Sequence, residues 1–220
     1  FLFGGGVVKV APFTGSGGDV AYRGDAAARG QRISDQRQVV ENDPGSRVFM
    51  DIRAGNGVFS VAADPANAGN AWFADSAVVD RSQWVPDDYA IVFTAADAFE
   101  VRDGGGTVVA SGTYAPGSTI AFRGVSVTVD GAPAAGDRIT VATSRNQSVF
   151  RTLQDAIDAL AIDAGQPAVR AQLQSRLNAG LQDLDQALAN LSLVRSEVGA
   201  RLNTIADQDD TNADLALELT

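Results

Sequence analysis

A run of regularly spaced apolar residues between Ala168 and Ala206 constrains the fold of this chain more than any other feature. Its members follow one another at steps of three or four, which predicts a helix that packs lengthwise on other helices. They are Leu177, Leu181, Leu184, Leu188, Leu191, Arg195 as the one polar member, Val198, Leu202 and Ile205. No proline interrupts the run after Pro167, so the helix would be roughly 58 Å long at 1.5 Å per residue.

This predicted helix is too long for the rest of the chain to cover. A compact body made of the preceding ~145 residues would have a diameter of roughly 40 Å, and the sequence contains one other, shorter helical pattern. We therefore expect part of the leucine stripe to face helices that this sequence does not contain. The chain also starts at Phe1 without a methionine. Together these features indicate a component of an assembly, or a fragment of one, rather than a self-sufficient enzyme.

Arg195 occupies a position of the stripe where the pattern requires a leucine. One interpretation is a register device, because a lone polar residue in a helix seam lowers stability but specifies alignment. The other interpretation is a residue at the partly exposed edge of the seam. The sequence leaves both open.

Composition excludes several classes of function. The net charge of -10 argues against partners that are themselves anionic, namely nucleic acid and anionic membranes. The chain has no cysteine and no histidine, which removes thiolate chemistry, cysteine-bound zinc and the commonest general base. It also has no apolar run of the ~18 residues that a transmembrane helix needs.

The chain divides near Thr143 into a β-type part and a helical part. Short apolar runs between glycine-rich turns precede that point, which favours an antiparallel sandwich or barrel. We predict a β-rich domain over 1–145, whose first few residues could alternatively belong to the edge of the helical domain. A helical rod domain over 146–220 would hold a short helix at 147–163 and a long helix at 167–206 or beyond. The predicted fold class is therefore α+β.

Three local patterns could carry chemistry, and each has a simpler structural interpretation. The glycine clusters lack the Lys-Ser or Lys-Thr of a phosphate loop, so we interpret them as turns. The segment 207–218 has the length of a calcium loop but carries Asn212 where that loop requires glycine, which favours a solvated helix end. The carboxylate pairs Asp87/Asp88 and Asp97/Glu100 lie at apparent turns. We predict no catalytic residue, no metal site and no cofactor.

Several segments resemble proteins of the flagellin family, and in particular its hook-associated branch. The helical segments SVFRTLQDAI and RSEVGARLN are similar to the C-terminal helical part of that family. The opening segments and one Gly-Asp segment are similar to hook-associated proteins. These four stretches are 148–157, 195–203, the opening 1–5 with 11–13 and 20–25, and 125–137.

The resemblance implies a structural part of the bacterial flagellum at the junction between hook and filament, without catalysis or cofactor. It implies a multidomain protein in which a β domain is inserted into a coiled-coil-like helical domain and faces outward. The helical domain would assemble a ring of copies of this chain. Other expected partners are the hook-side junction protein, flagellin and an export chaperone, but neither nucleic acid nor a membrane. Glu197, Arg201 and Asn203 are candidate subunit contacts.

The resemblance also implies export through the flagellar channel without a cleaved signal peptide, and hence an extracellular location in the flagellum. It implies a helical region before Phe1 and a further helix after Thr220. Two alternatives remain at this point. One is a flagellin or another surface-displayed binding module on a helical stalk. The other is a carbohydrate-active enzyme that uses two aspartates about 5–10 Å apart.

Overall fold

A computed structural model describes residues 2–7, 9–34 and 37–218 of the chain. It contains two helices, α1 (Val149–Leu160) and α2 (Pro167–Glu218), and a π-helical turn at Ser46–Met50. The strands are β1 Phe13–Thr14, β2 Ala21–Tyr22, β3 Gly30–Ser34, β4 Arg37–Val40, β5 Ile52–Arg53, β6 Phe59–Ala63, β7 Trp72–Val78, β8 Tyr89–Ala95, β9 Ala98–Arg102, β10 Val108–Thr113, β11 Ser118–Phe122, β12 Val125–Asp130, β13 Arg138–Thr143 and β14 Asn146–Gln147.

The chain forms two compact units that both use parts of α2. The first unit comprises 1–52, 148–150 and 187–220, and the second comprises 53–147 and 151–186. A long C-terminal helix and antiparallel sheets give a mixed α+β fold, as the sequence predicts. Each unit combines β-strands with part of α2, and the division into a β-rich domain over 1–145 and a rod domain over 146–220 stays a prediction.

The second unit is built on two antiparallel sheets that share one hydrophobic core. One sheet has the order β10-β9-β8-β13-β6 and the other has the order β11-β12-β7. Side chains alternate across each strand, so Val125, Val127 and Val129 of β12 all point into the core and are almost fully buried. Phe93 of β8 packs edge-on against Tyr114, with ring centroids 5.1 Å apart. Period-2 alternation therefore forms this core, as the sequence pattern indicates.

The first unit contains two short hairpins, β1-β2 and β3-β4, around a small aromatic cluster. Phe49 packs edge-on against Phe3 and Phe13, at centroid distances of 5.1 and 5.6 Å. Asn42 is fully buried beside this cluster. Its side chain accepts the N–H of Arg29 at 2.7 Å and donates to backbone carbonyls of neighbouring segments. One amide therefore satisfies several backbone groups that hairpins this short leave unpaired.

The structure differs from the sequence-based expectations at two places. The opening residues 2–7 and 9–12 form turns and bends rather than strands, since the glycines that follow Phe3 include Gly5 at φ +68°. Helix α1 is shorter than the predicted 147–163 because Gln147 belongs to β14. Helix α2 begins at Pro167 and continues to Glu218, in line with the expected helix at 167–206 or beyond.

Candidate functional site: the exposed leucine face of helix α2

Within the second unit, α2 packs on the sheet through polar side chains. The hydroxyl of Ser175 accepts the N–H of Phe73 at 3.0 Å. The Asn178 amide donates to the carbonyls of Phe73 and Ala74 at 2.9 and 3.2 Å. Strand β7 lies at the edge of its sheet, where backbone groups lack a strand partner. The polar side chains of α2 supply the missing partners.

Asp183 also belongs to the packed face of α2, and it bonds to residues before β6 and in β14. Its carboxylate accepts the N–H of Gly55 at 2.5 Å and the side-chain amide of Gln147 at 3.2 Å. Burial raises the pKa of Asp183 above its usual value, and the nearby charge of Asp155 acts in the same direction. The hydrogen bonds from Gly55 and Gln147 oppose that shift. Asp183 therefore connects α2 to Gly55, which precedes β6, and to Gln147 in β14.

Within the first unit, α2 packs through two ion pairs and an amide. Arg47 donates to both oxygens of Glu197, at 2.5 and 2.6 Å, and this bond lowers the pKa of Glu197. Arg201 donates to the buried Asp43 at 2.5 Å, and Asn190 donates to the carbonyl of Val48 at 3.0 Å. The carboxylate of Glu197 and the guanidinium of Arg201 are thus engaged within the chain, whereas Asn203 is exposed. Their roles as subunit contacts stay predictions.

The predicted leucine stripe lies on another face of the same helix, and most of it is exposed. Leu181, Leu188 and Leu202 are each about three-fifths exposed, at 60%, 61% and 61%. Leu191, Val198 and Ile205 are exposed to between 38% and 43%, and Arg195 is exposed as well. Only Leu177 and Leu184 are half-buried. We call this set of nine residues the leucine face; among the residues that the structure describes, little covers it.

In the first unit the leucine face forms one wall of an apolar groove of about 500 Å³. Leu191, Val198, Leu202 and Ile205 contribute to the groove from α2. The opposite side is supplied by residues before Asp51, among them Phe3, Val40 and Phe49. An apolar groove beside a row of exposed leucines is the surface that an amphipathic helix covers.

The carboxylate pairs and the calcium-loop segment considered in the sequence do not form a catalytic or metal site. The Asp87 carboxylate accepts the backbone N–H groups of Asp88 and Gly104, as a turn aspartate does. Glu100 pairs with Arg102 at 2.8 Å. Residues 207–218 continue α2 as a helix rather than forming a calcium loop. Over residues 2–7, 9–34 and 37–218, no cluster of acidic residues has a metal-binding arrangement.

Sequence reasoning missed the packed face, although a signal for it exists. Ser175, Asn178, Gln182, Gln186 and Asn190 follow one another at steps of three or four, which makes a second, polar stripe on the same helix. Gln182 belongs to the packed face, because its side-chain amide donates to the hydroxyl of Ser76 at 3.1 Å. In this chain the polar stripe marks the side of α2 that bonds to β7.

Helix hydropathy gives no membrane-spanning candidate. None of the helices in the described part of the chain combines the length and the apolar character needed to cross a bilayer. The exposed leucines of α2 alternate with charged and amide side chains, so they form one face rather than an apolar cylinder.

Solved structures provide the comparison with known proteins. FlgL from Xanthomonas campestris, in space group C2, is 33% identical at a TM-score of 0.93, and the match covers all of this chain and 71% of that one. A second crystal form of it, in space group H3, matches at 34% identity and a TM-score of 0.89, covering 96% and 69% of the two chains.

The flagellar junction protein FlgL from Legionella pneumophila is 29% identical at a TM-score of 0.93, and the match covers 98% of this chain and 71% of that one. No protein-family model and no curated protein sequence matches the chain.

Proposed function

The chain belongs to the FlgL family of flagellar hook-filament junction proteins, and from this we propose that the leucine face is the surface through which it assembles. The protein is a structural component of the flagellar junction. The observation that carries the proposal is the exposure of Leu181, Leu188 and Leu202 on a helix whose polar side already packs on its own sheet. Exposed apolar patches of this kind mark protein-protein contacts.

Assembly would follow from helix packing rather than from a chemical step. Leucines spaced by three and four residues fit between the side chains of a second helix, as in a coiled coil. We propose that the rod domain over 146–220 provides this packing and that the β-rich domain over 1–145 faces outward as a separate domain. The partners are other flagellar axial proteins, and we add to them copies of this chain, which would form a ring, and an export chaperone.

Location and the absence of catalysis complete the proposal. As a part of the flagellum, the protein would lie outside the cell after export through the flagellar channel. The candidate carboxylates Asp87 and Glu100 bond to backbone N–H groups and to Arg102. These contacts support a structural role for them.

Complementation of a flagellated strain that lacks its own junction protein tests the proposal. Immunogold labelling of the wild-type protein is expected to give one band between hook and filament. Leu188→Asp is expected to abolish the band and motility while thermal unfolding stays unchanged. Ala189→Asp places the same charge at the next residue of α2, which is exposed and points about 100° away from Leu188 around the helix, and is the matched control. Label along the whole filament, or full motility of Leu188→Asp, would contradict the proposal.

A further inference from the structure

Asn56 is the only asparagine of the sequence that is followed by a glycine. In such a pair the backbone nitrogen of the second residue attacks the side-chain amide carbon of asparagine. Glycine hinders this attack least, because it has no side chain and the freest backbone. Asn56 and Gly57 lie in the segment 54–58 between β5 and β6. This turn therefore contains the asparagine that is chemically most labile in the chain.

The fold needs this pair in spite of its reactivity. Gly57 has φ +85°, a left-handed conformation that residues with a side chain rarely adopt. The side-chain oxygen of Asn56 accepts the backbone N–H groups of Val58 and Phe59, both at 3.1 Å. Glycine thus supplies the backbone conformation of the turn, and asparagine supplies the acceptor for its N–H groups.

The contacts that form the turn also oppose the reaction. The N–H of Gly57 donates to the carbonyl of Ala54 at 3.2 Å, so its nitrogen is held in the turn. The side-chain nitrogen of Asn56 donates to the hydroxyl of Ser76 in β7 at 3.3 Å, which holds the other end of the amide. Attack on the amide carbon requires both groups to leave these partners. In the folded chain the reaction must therefore wait for the turn to open.

We propose that Asn56 is a site of spontaneous deamidation, which the fold suppresses and unfolding exposes. The nitrogen of Gly57 forms a bond to Cγ of Asn56, the bond from Cγ to Nδ2 breaks, and ammonia leaves with the proton of the Gly57 N–H. Water then opens the five-membered imide at one of its two carbonyls. The product at position 56 is aspartate or isoaspartate, and water is the only co-reactant.

Either product would disturb the turn when the chain refolds. Isoaspartate adds one carbon atom to the backbone of a segment that joins two strands. Aspartate loses the amide that donates to Ser76, and it brings a second carboxylate to the turn that Asp183 already contacts through Gly55. Two carboxylates that share a partly buried site repel each other. Modified chains should therefore refold poorly, and this inference is independent of the role of the leucine face.

Peptide mass mapping of the intact chain at mildly alkaline pH tests the proposal. One sample is kept folded in buffer, and the other is unfolded in guanidinium chloride. In the unfolded sample we expect position 56 to convert faster than any other asparagine. In the folded sample conversion should be slower by roughly tenfold or more, since it proceeds only through the open fraction. Equal rates in the two samples, or no conversion at 56 in the unfolded one, would overturn the proposal.

Asn70 is the internal control, because it is exposed in a loop and precedes an alanine. It should convert slowly in both samples, which separates an effect of the turn from an effect of the solvent. Dilution out of guanidinium chloride after partial conversion tests the consequence for folding. Size-exclusion chromatography should then recover folded chains that are depleted of isoaspartate at 56. An equal share of isoaspartate in the folded and misfolded fractions would show that the modification does not hinder refolding.

Discussion

The two faces of α2 differ from those of a usual amphipathic helix, because polar side chains and small residues such as Ala179 pack on the core while the leucines are exposed. Such a helix normally packs its apolar face on its own domain and exposes its polar face. Here Ser175 and Asn178 pack on the sheet, while Leu181 and Leu188 are exposed. The reason lies in what each face meets, since a sheet edge presents backbone N–H and C=O groups that only polar side chains can satisfy. The leucines are thus left exposed among the residues that the structure describes.

The largest loss in the free energy of unfolding is expected on the packed face of α2, at Arg201. Arg201→Met leaves Asp43, which is 8% exposed, without its 2.5 Å partner. Breaking a buried ion pair from one side costs about 3–5 kcal/mol. The lower end, about 3 kcal/mol, applies because Arg47 stays within 3.4 Å of Asp43. Urea denaturation of the purified chain measures this loss, and a change below about 1 kcal/mol would show that the pair is not buried in solution.

A smaller loss is expected at the sheet edge. Ser175 is 2% exposed, and Ser175→Val removes the acceptor of the Phe73 N–H while keeping a side chain of similar shape. An unpaired buried donor costs about 1–3 kcal/mol. The same substitution at the exposed Ser192 is the control and should cost less than about 0.5 kcal/mol. Equal urea midpoints for the two variants would mean that α2 does not cover the edge of β7.

Asp183 gives the packed face a pH dependence of defined sign. Its pKa is raised in the folded chain, so its contribution to stability is fully present below the unfolded pKa and is lost as pH rises through the folded pKa. Asp183→Asn keeps an acceptor for Gly55 but cannot titrate. We therefore expect wild type to lose stability relative to Asp183→Asn as the pH rises above the unfolded value of about 4. A difference that stays constant as the pH rises would contradict the raised pKa.

The smallest effect on stability is expected on the leucine face. Leu188→Ala removes a side chain that is 61% exposed, so the free energy of unfolding should change by less than about 0.5 kcal/mol. Leu184→Ala, at a half-buried member of the same face, is the internal comparison and should cost more. A loss above about 2 kcal/mol at Leu188, measured by urea denaturation, would place that side chain in a core.

The sequence predicts the elements of this molecule better than their contacts. Alternation of apolar and polar residues predicts β12, and the leucine spacing predicts α2, because each pattern reflects the geometry of its own element. The same spacing also predicts that α2 has more apolar surface than the chain covers. The exposed leucines confirm this prediction.

The residues that hold α2 in place could not be predicted in the same way. Asp43 and Arg201, and likewise Gly55 and Asp183, are more than a hundred residues apart, so no local pattern links them. Glu197 illustrates the consequence, since no local pattern in the sequence indicates that its carboxylate bonds to Arg47. Hydrogen-bond partners across a fold depend on tertiary packing, which residue spacing does not encode.

Chemical labelling of one cysteine tests most directly whether the leucine face is bare in the free chain and covered after assembly. The chain contains no cysteine, so Leu188→Cys introduces a unique thiol on this face, and Ala189→Cys provides a matched exposed one on another side of α2. A thiol reagent should modify both residues quickly in the purified chain, and in isolated flagella it should modify only the cysteine at 189. A cysteine at 188 that is protected in the free chain, or that reacts equally fast after assembly, would contradict the account.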